Sequence, residues 1–125
     1  MNATLMARSA YAGTDSAIRT PRDIEYEAFA RVTHRLKRAG QHAKEDYPGL
    51  VRAIHDNREL WSLLAADVAL PENGLPLELR KRVAFLAEFT RVQSRKVLSE
   101  NASLDILIEV NTAIMRGLRN DGGTA

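Results

Sequence analysis

The chain has 125 residues, which suits one domain, and 45% of them are hydrophobic but only 6% aromatic, so a modest core must be built from Leu, Val, Ile and Ala. It contains no cysteine, which excludes disulfides, thiolate catalysis and cysteine-ligated zinc. A formal charge of +2 is too small to argue for nucleic acid by itself.

Residues 1–17 are weakly patterned. A short helix over 3–12 would place Leu5, Met6 and Ser9 or Ala10 on one side, with Tyr11 as an aromatic anchor. Gly13-Thr14-Asp15-Ser16 reads as a turn or linker. Residues 1–19 suit a docked helix and a mobile terminus equally well. Thr20-Pro21-Arg22-Asp23 is a strong helix start, with Thr20 able to cap and Pro21 suited to the first helical position. The spacing predicts a helix to about Ala39, with Gly40 as its stop. Its apolar face is Ala28, Phe29, Val32 and Leu36, begun by Ile24. The opposite side carries Arg31, Arg35, Arg38 and His42 at steps of four, three and four, with His34 and Lys37 near. A solvated outer face accounts for that stripe, and a surface for phosphate or an acidic partner is the functional alternative. No aromatics interleave with it, which argues against stacking on single-stranded bases.

Residues 41–47 are polar and then acidic, and Pro48 can open the next helix. The stretch 50–70 is the strongest apolar stripe, with Leu50, Ile54, Trp61, Leu64 and Val68 on one face at helical spacing. Asn57 sits where an apolar residue belongs. Either it ends one helix and caps the next, for which Asn-Arg-Glu-Leu is a fair opening, or it stays inside a continuous helix and needs a partner. The cap or local kink is the favoured expectation. Residues 71–76, Pro-Glu-Asn-Gly-Leu-Pro, form a clear break.

The longest helix is predicted over 77–98, on Leu79, Val83, Leu86, Phe89 or Thr90, Gln93 and Val97. Arg80, Lys81 and Arg82 cluster near its N-terminus, where the helix dipole does not favour cations. A turn over 99–103 follows, with Ser103 able to cap a last helix whose stripe is Leu104, Leu107, Ile108, Asn111, Ile114, Met115 and Leu118. Asn111 is a second Asn at a core-type position. Residues 119–125 read as a disordered polar tail. The two Asn residues suit either a polar core feature or a groove where a partner chain supplies their hydrogen bonds.

The expected fold is all-α, a small single-domain bundle of four to five amphipathic helices. None of His34, His42 and His55 has a second ligand at metal-binding spacing on a shared helix face. Acidic pairs such as Glu25 with Glu27 do not converge on a helix surface. There is no glycine-rich phosphate loop and no nucleophile elbow. The expectation is therefore a binding module: not an enzyme, without metal or cofactor. No run approaches a membrane span and no secretory leader opens the chain, so no membrane insertion is expected and the cytoplasm is the simplest compartment.

Several segments in combination resemble the FlaF family of bacterial flagellar biosynthesis regulators. They are Ala10-Tyr11, TPRDIEYEAFARVT at 20–33, NRELWSLLAADVALPENGLP at 57–76, LELRKRVAFLAEFT at 77–90 and LIEVNTAIMRGL at 107–118. Residues 40–47 match least. The resemblance implies a small cytoplasmic helical protein that binds flagellin and promotes its synthesis or export as a secretion-chaperone-like factor, opposing the regulator FlbT. An amphipathic helix of flagellin would lie in an apolar groove. The expected partner-binding residues are Asn57, Leu60, Trp61, Leu64, Val68, Asn111, Ile114 and Met115, on two helices. The alternative is an RNA-binding regulator of flagellin message, acting through the basic surface Arg31, Arg35, Arg38, Arg80, Lys81 and Arg82. A purely structural partner of FlbT is a third reading.

Overall fold

The computed structural model describes residues 21–124, and the side chains of residues 26–117. It contains four helices: α1 (Pro21–Gln41), α2 (Tyr47–Val68), α3 (Leu77–Glu100) and α4 (Asp105–Thr124). The described residues include no strand, so the all-α expectation holds. The helix suggested over 3–12 and the Thr20 cap lie outside the described residues.

Local chemistry accounts for the helix ends. At the start of α2, the Asp46 side chain accepts from the Gly49 backbone N–H at 3.0 Å, and Pro48 occupies the first turn, where its missing N–H is not needed. At the other end of α2 the Arg80 guanidinium reaches back, donating from Nε to the Val68 carbonyl and from Nη2 to the Leu70 carbonyl, both at 2.9 Å. The Val68 carbonyl is one of those a helix end leaves without an intrahelical donor, and the Leu70 carbonyl also accepts from Asn73 N at 3.1 Å. The break after α2 is organised by Asn73, whose Oδ1 accepts from Leu75 N at 2.9 Å. α3 ends at Asn101, in the left-handed region at φ 58°, ψ 32°, which Asn tolerates better than other side-chain-bearing residues. Ser103 Oγ then accepts from Asp105 N at 3.1 Å and opens α4.

The sequence expectations are corrected at two helix features. Asn57 neither caps nor kinks: α2 runs unbroken from Tyr47 to Val68 with Asn57 fully buried inside it. The reason is that its side chain finds a partner across the bundle, so the backbone keeps its helical bonds. Gly40 does not stop α1, which continues to Gln41. A Cβ there would lie 2.7 Å from Leu104 Cδ2, so the missing side chain makes room for the start of α4 rather than for a turn. The backbone of α4 runs to Thr124.

Short connections make successive helices neighbours, and the pairing of core residues shows them antiparallel. Phe29 of α1, Trp61, Leu64 and Val68 of α2, Val83 of α3 and Ile114 of α4 form one buried cluster with Leu75. Leu36, Leu50, Ala53, Ile54, Val97 and Leu107 form a second cluster at the other end. α1 packs against both α2 and α4, and α2 against α3, whereas α3 and α4 touch far less. The bundle is therefore closed on three sides and thin on the fourth.

Candidate functional site

Between the two apolar clusters every helix places a polar residue on its core face: Thr33 on α1, Asn57 on α2, Thr90 and Ser94 on α3, Asn111 on α4, all buried. In each helix these positions fall between the residues of one cluster and those of the other, so they form a polar layer across the bundle. Asn111 is its hub. The Trp61 indole N–H donates to Asn111 Oδ1 at 2.8 Å. Asn111 Nδ2 donates to Asn57 Oδ1 at 2.8 Å and to Thr33 Oγ1 at 3.0 Å. The Thr33 hydroxyl turns to Met115 Sδ at 3.8 Å. The orientation follows from chemistry: an indole N–H can only donate, so it fixes Asn111 Oδ1, and that forces the Asn111 amide to donate to the Asn57 oxygen. Phe29 meets the Trp61 ring edge to face, centroids 5.2 Å apart and planes at 81°.

The residues expected to line a partner groove are thus brought together, but inside the bundle. Trp61 is 1% exposed, and Asn57, Leu64, Val68, Asn111 and Ile114 are buried with it. Leu60 and Met115 are half-buried and pack against the same cluster. Of the expected partner-binding residues, Leu60 and Met115 alone keep appreciable exposed surface in this structure. The two Asn residues supply each other's hydrogen bond, and Trp61 fills the space above them.

The basic surface divides. Arg31, Arg35 and Arg38 are exposed on α1, and Arg35 sits 3.8 Å from Asp56 on α2. Arg80 is occupied at the end of α2, Lys81 lies 3.8 Å from Glu78, and Arg82 is exposed. The expected cluster of three cations is therefore two exposed side chains and one structural one. Among the described residues no group of His, Asp and Glu is arranged to hold a metal ion.

Sequence patterning missed Ser94 and Thr33 as core positions, although both fall on the apolar stripes of their helices. It also missed the exposed apolar side chains of α3: Phe85 is 69% exposed and Leu77 59%. Phe85 belongs to a stripe, Arg82, Phe85, Phe89, Gln93 and Lys96, that recurs at steps of three and four along one flank of α3. Gln93 Nε2 donates to the Ser103 carbonyl at 3.3 Å, which sets this flank beside the start of α4. Leu104, just before α4, and Ile108 and Met115 on it turn to α1, and helical spacing puts Ile106, Val110 and Gly117 on a different face of α4. A Cβ on Gly117 would meet nothing within 4 Å. On the other flank of α3, Arg91 grips Glu88 through two bonds of 2.6 and 3.1 Å. The hydrogen bond from Arg91 holds the Glu88 carboxyl below its ordinary range, with the charges of Arg91 and Arg95 adding to it against a desolvation that acts the other way.

No helix among the described residues is long and apolar enough to cross a membrane. No curated protein and no solved structure matches the chain. The model of one family, described as flagellar protein FlaF, matches residues 7–118, and this span includes all four helix cores and the polar layer. The chain belongs to the FlaF family.

Proposed function

We propose that this protein binds flagellin in the cytoplasm and promotes its synthesis or export as a secretion-chaperone-like factor, acting against FlbT. The observation that carries the proposal is the exposed Phe85 on α3, in a bundle whose family is flagellar. An isolated exposed aromatic is ordinary, but Phe85 with Phe89 one turn on gives α3 an aromatic pair that an amphipathic helix can cover. The RNA alternative loses support because Arg80 is engaged with the end of α2 and Arg35 lies beside Asp56.

Pull-down of purified flagellin, with and without nuclease, tests the proposal. The expected result is a one-to-one complex, unaffected by nuclease and only slightly weakened by moderate salt. Phe85→Ser should leave the circular dichroism spectrum unchanged and reduce binding. Absence of flagellin binding at micromolar concentrations would remove the proposal and make FlbT the leading partner. A nuclease-sensitive complex would favour RNA.

A further inference from the structure

We propose that the cleft between α2 and α3 is a second docking site, which takes an acidic segment of a partner protein and seats one of its carboxylates between Arg58 and Thr90. The proposal is independent of the flagellin reading: helical geometry sets Phe85 about 100° round α3 from Ala84, on another face.

The cleft follows from where the small residues fall. α2 and α3 run antiparallel, with Tyr47 beside Leu98 at one end and Arg80 beside Val68 at the other. In that register Ser62 and Ala65 on α2 stand across from Ala87 and Ala84 on α3, and Arg58 stands across from Arg91. Side chains as short as these four cannot fill the space between the helices, and they leave a cleft of about 240 Å³. That is far more room than one water needs. Trp61 and Thr90, each 1% exposed, form its floor.

Two observations say what the cleft lacks. The Thr90 hydroxyl is buried and has no hydrogen-bond partner among the described residues. A hydroxyl in that state gains from an oxygen acceptor brought to it. The charges at the rim are also unbalanced. Arg91 is taken up by Glu88 through its two bonds, whereas Arg58 is exposed and has neither an ion pair nor a side-chain hydrogen bond among the described residues. Arg95, one turn beyond Arg91, adds to the cationic excess. A carboxylate answers both needs. It accepts from the Thr90 hydroxyl and, in a charge-assisted bond, from the Arg58 guanidinium. Its methylene stem lies against Ala65, Ala84 and the Trp61 ring. A lysine or arginine in the same place would meet Arg58, so the cleft rejects a basic segment.

The probe is an alanine-based helical peptide with glutamate at every fourth position, titrated into the isotope-labelled full chain and followed by NMR. The Trp61 indole N–H and the backbone amides of Ala84, Ala87 and Thr90 should shift together with one midpoint, and the affinity should fall as salt rises. The same peptide with glutamine in place of glutamate should bind at least about ten-fold more weakly. Arg58→Gln should weaken binding by about five-fold, while Arg82→Gln, which removes the same charge from another face, should change it by less than about two-fold. Ala84→Leu fills the cleft and should weaken binding by about ten-fold. If circular dichroism shows that variant unfolded, Ser62→Leu closes the cleft from the α2 side and is read in the same way. Equal losses from Arg58→Gln and Arg82→Gln would reduce the attraction to overall charge and overturn the proposal. It would equally fall if the glutamate peptide bound without moving the Trp61 indole, or failed to bind at millimolar concentration. A single-stranded RNA that moved the same resonances at lower concentration than the peptide would also overturn it.

Discussion

α2 and α3 are neighbours of nearly equal length, 22 and 24 residues, yet they are held by different means. α2 buries six apolar side chains with Asn57 and Asp67, contributes to both apolar clusters, and joins the polar layer through Asn57 and Trp61. α3 buries only Val83 and Val97 among its apolar residues, and its two buried hydroxyls stand outside the network. The difference teaches that a helix is fixed in a bundle by how its polar core positions are satisfied as well as by its apolar area. α2 is wedged between two neighbours and bonded across the core. α3 is attached along one side.

The largest expected effect lies on the α2 side. Trp61→Ala removes the ring that meets Phe29 and fills the space above Asn111, and should cost about 3–5 kcal/mol in urea denaturation. A loss of well under about 1 kcal/mol would mean that the cluster repacks and that α2 is no better held than α3.

The two Asn residues sharpen the comparison next, because their partners are unequal. Asn111 makes three hydrogen bonds and Asn57 one. Asn111→Leu leaves the Trp61 N–H and the Asn57 carbonyl oxygen unbonded, and each such group costs about 1–3 kcal/mol. Asn57→Leu also removes a buried amide nitrogen that had no partner, so it should be milder by about 1–2 kcal/mol. Equal losses from the two substitutions, measured by denaturation, would show that the layer has no hub.

Much of this was legible in the sequence, for physical reasons that can be named. Pro48, the 71–76 segment and Ser103 punctuate the chain through backbone chemistry that acts locally, and the apolar stripes between them place Phe29, Trp61, Val83 and Ile114 in the core. Asn57 and Asn111 were recognisable as polar intruders in those stripes. That they bond each other was not, because the contact joins positions on α2 and α4 that no local pattern relates. The role of Arg80 was hidden for the same reason: three consecutive cations look alike until one of them reaches the end of the preceding helix. The exposure of Phe85 follows from α3 itself, where it lies on the face opposite the buried Thr90 and Ser94.

The smallest effect is expected on the outer flank of α3. Glu88 has a folded-state pKa lowered by the hydrogen bond from Arg91, so its contribution is present above the ordinary carboxylate range and disappears as the pH falls through its folded value. Both side chains are well exposed, which keeps the effect small. The melting temperature of Glu88→Gln should therefore fall slightly below wild type at neutral pH and coincide with it in acid. A difference that grows on acidification would assign the carboxyl the opposite role.

Phe85 carries the flagellin reading and is 69% exposed on α3. Labelled flagellin should be titrated with the protein and with the Phe85→Ser variant, its fluorescence anisotropy reporting binding. If the partner covers α3 at Phe85, the variant binds more weakly while its circular dichroism spectrum is unchanged. Equal binding by the two proteins would place the partner elsewhere on the bundle and contradict the account.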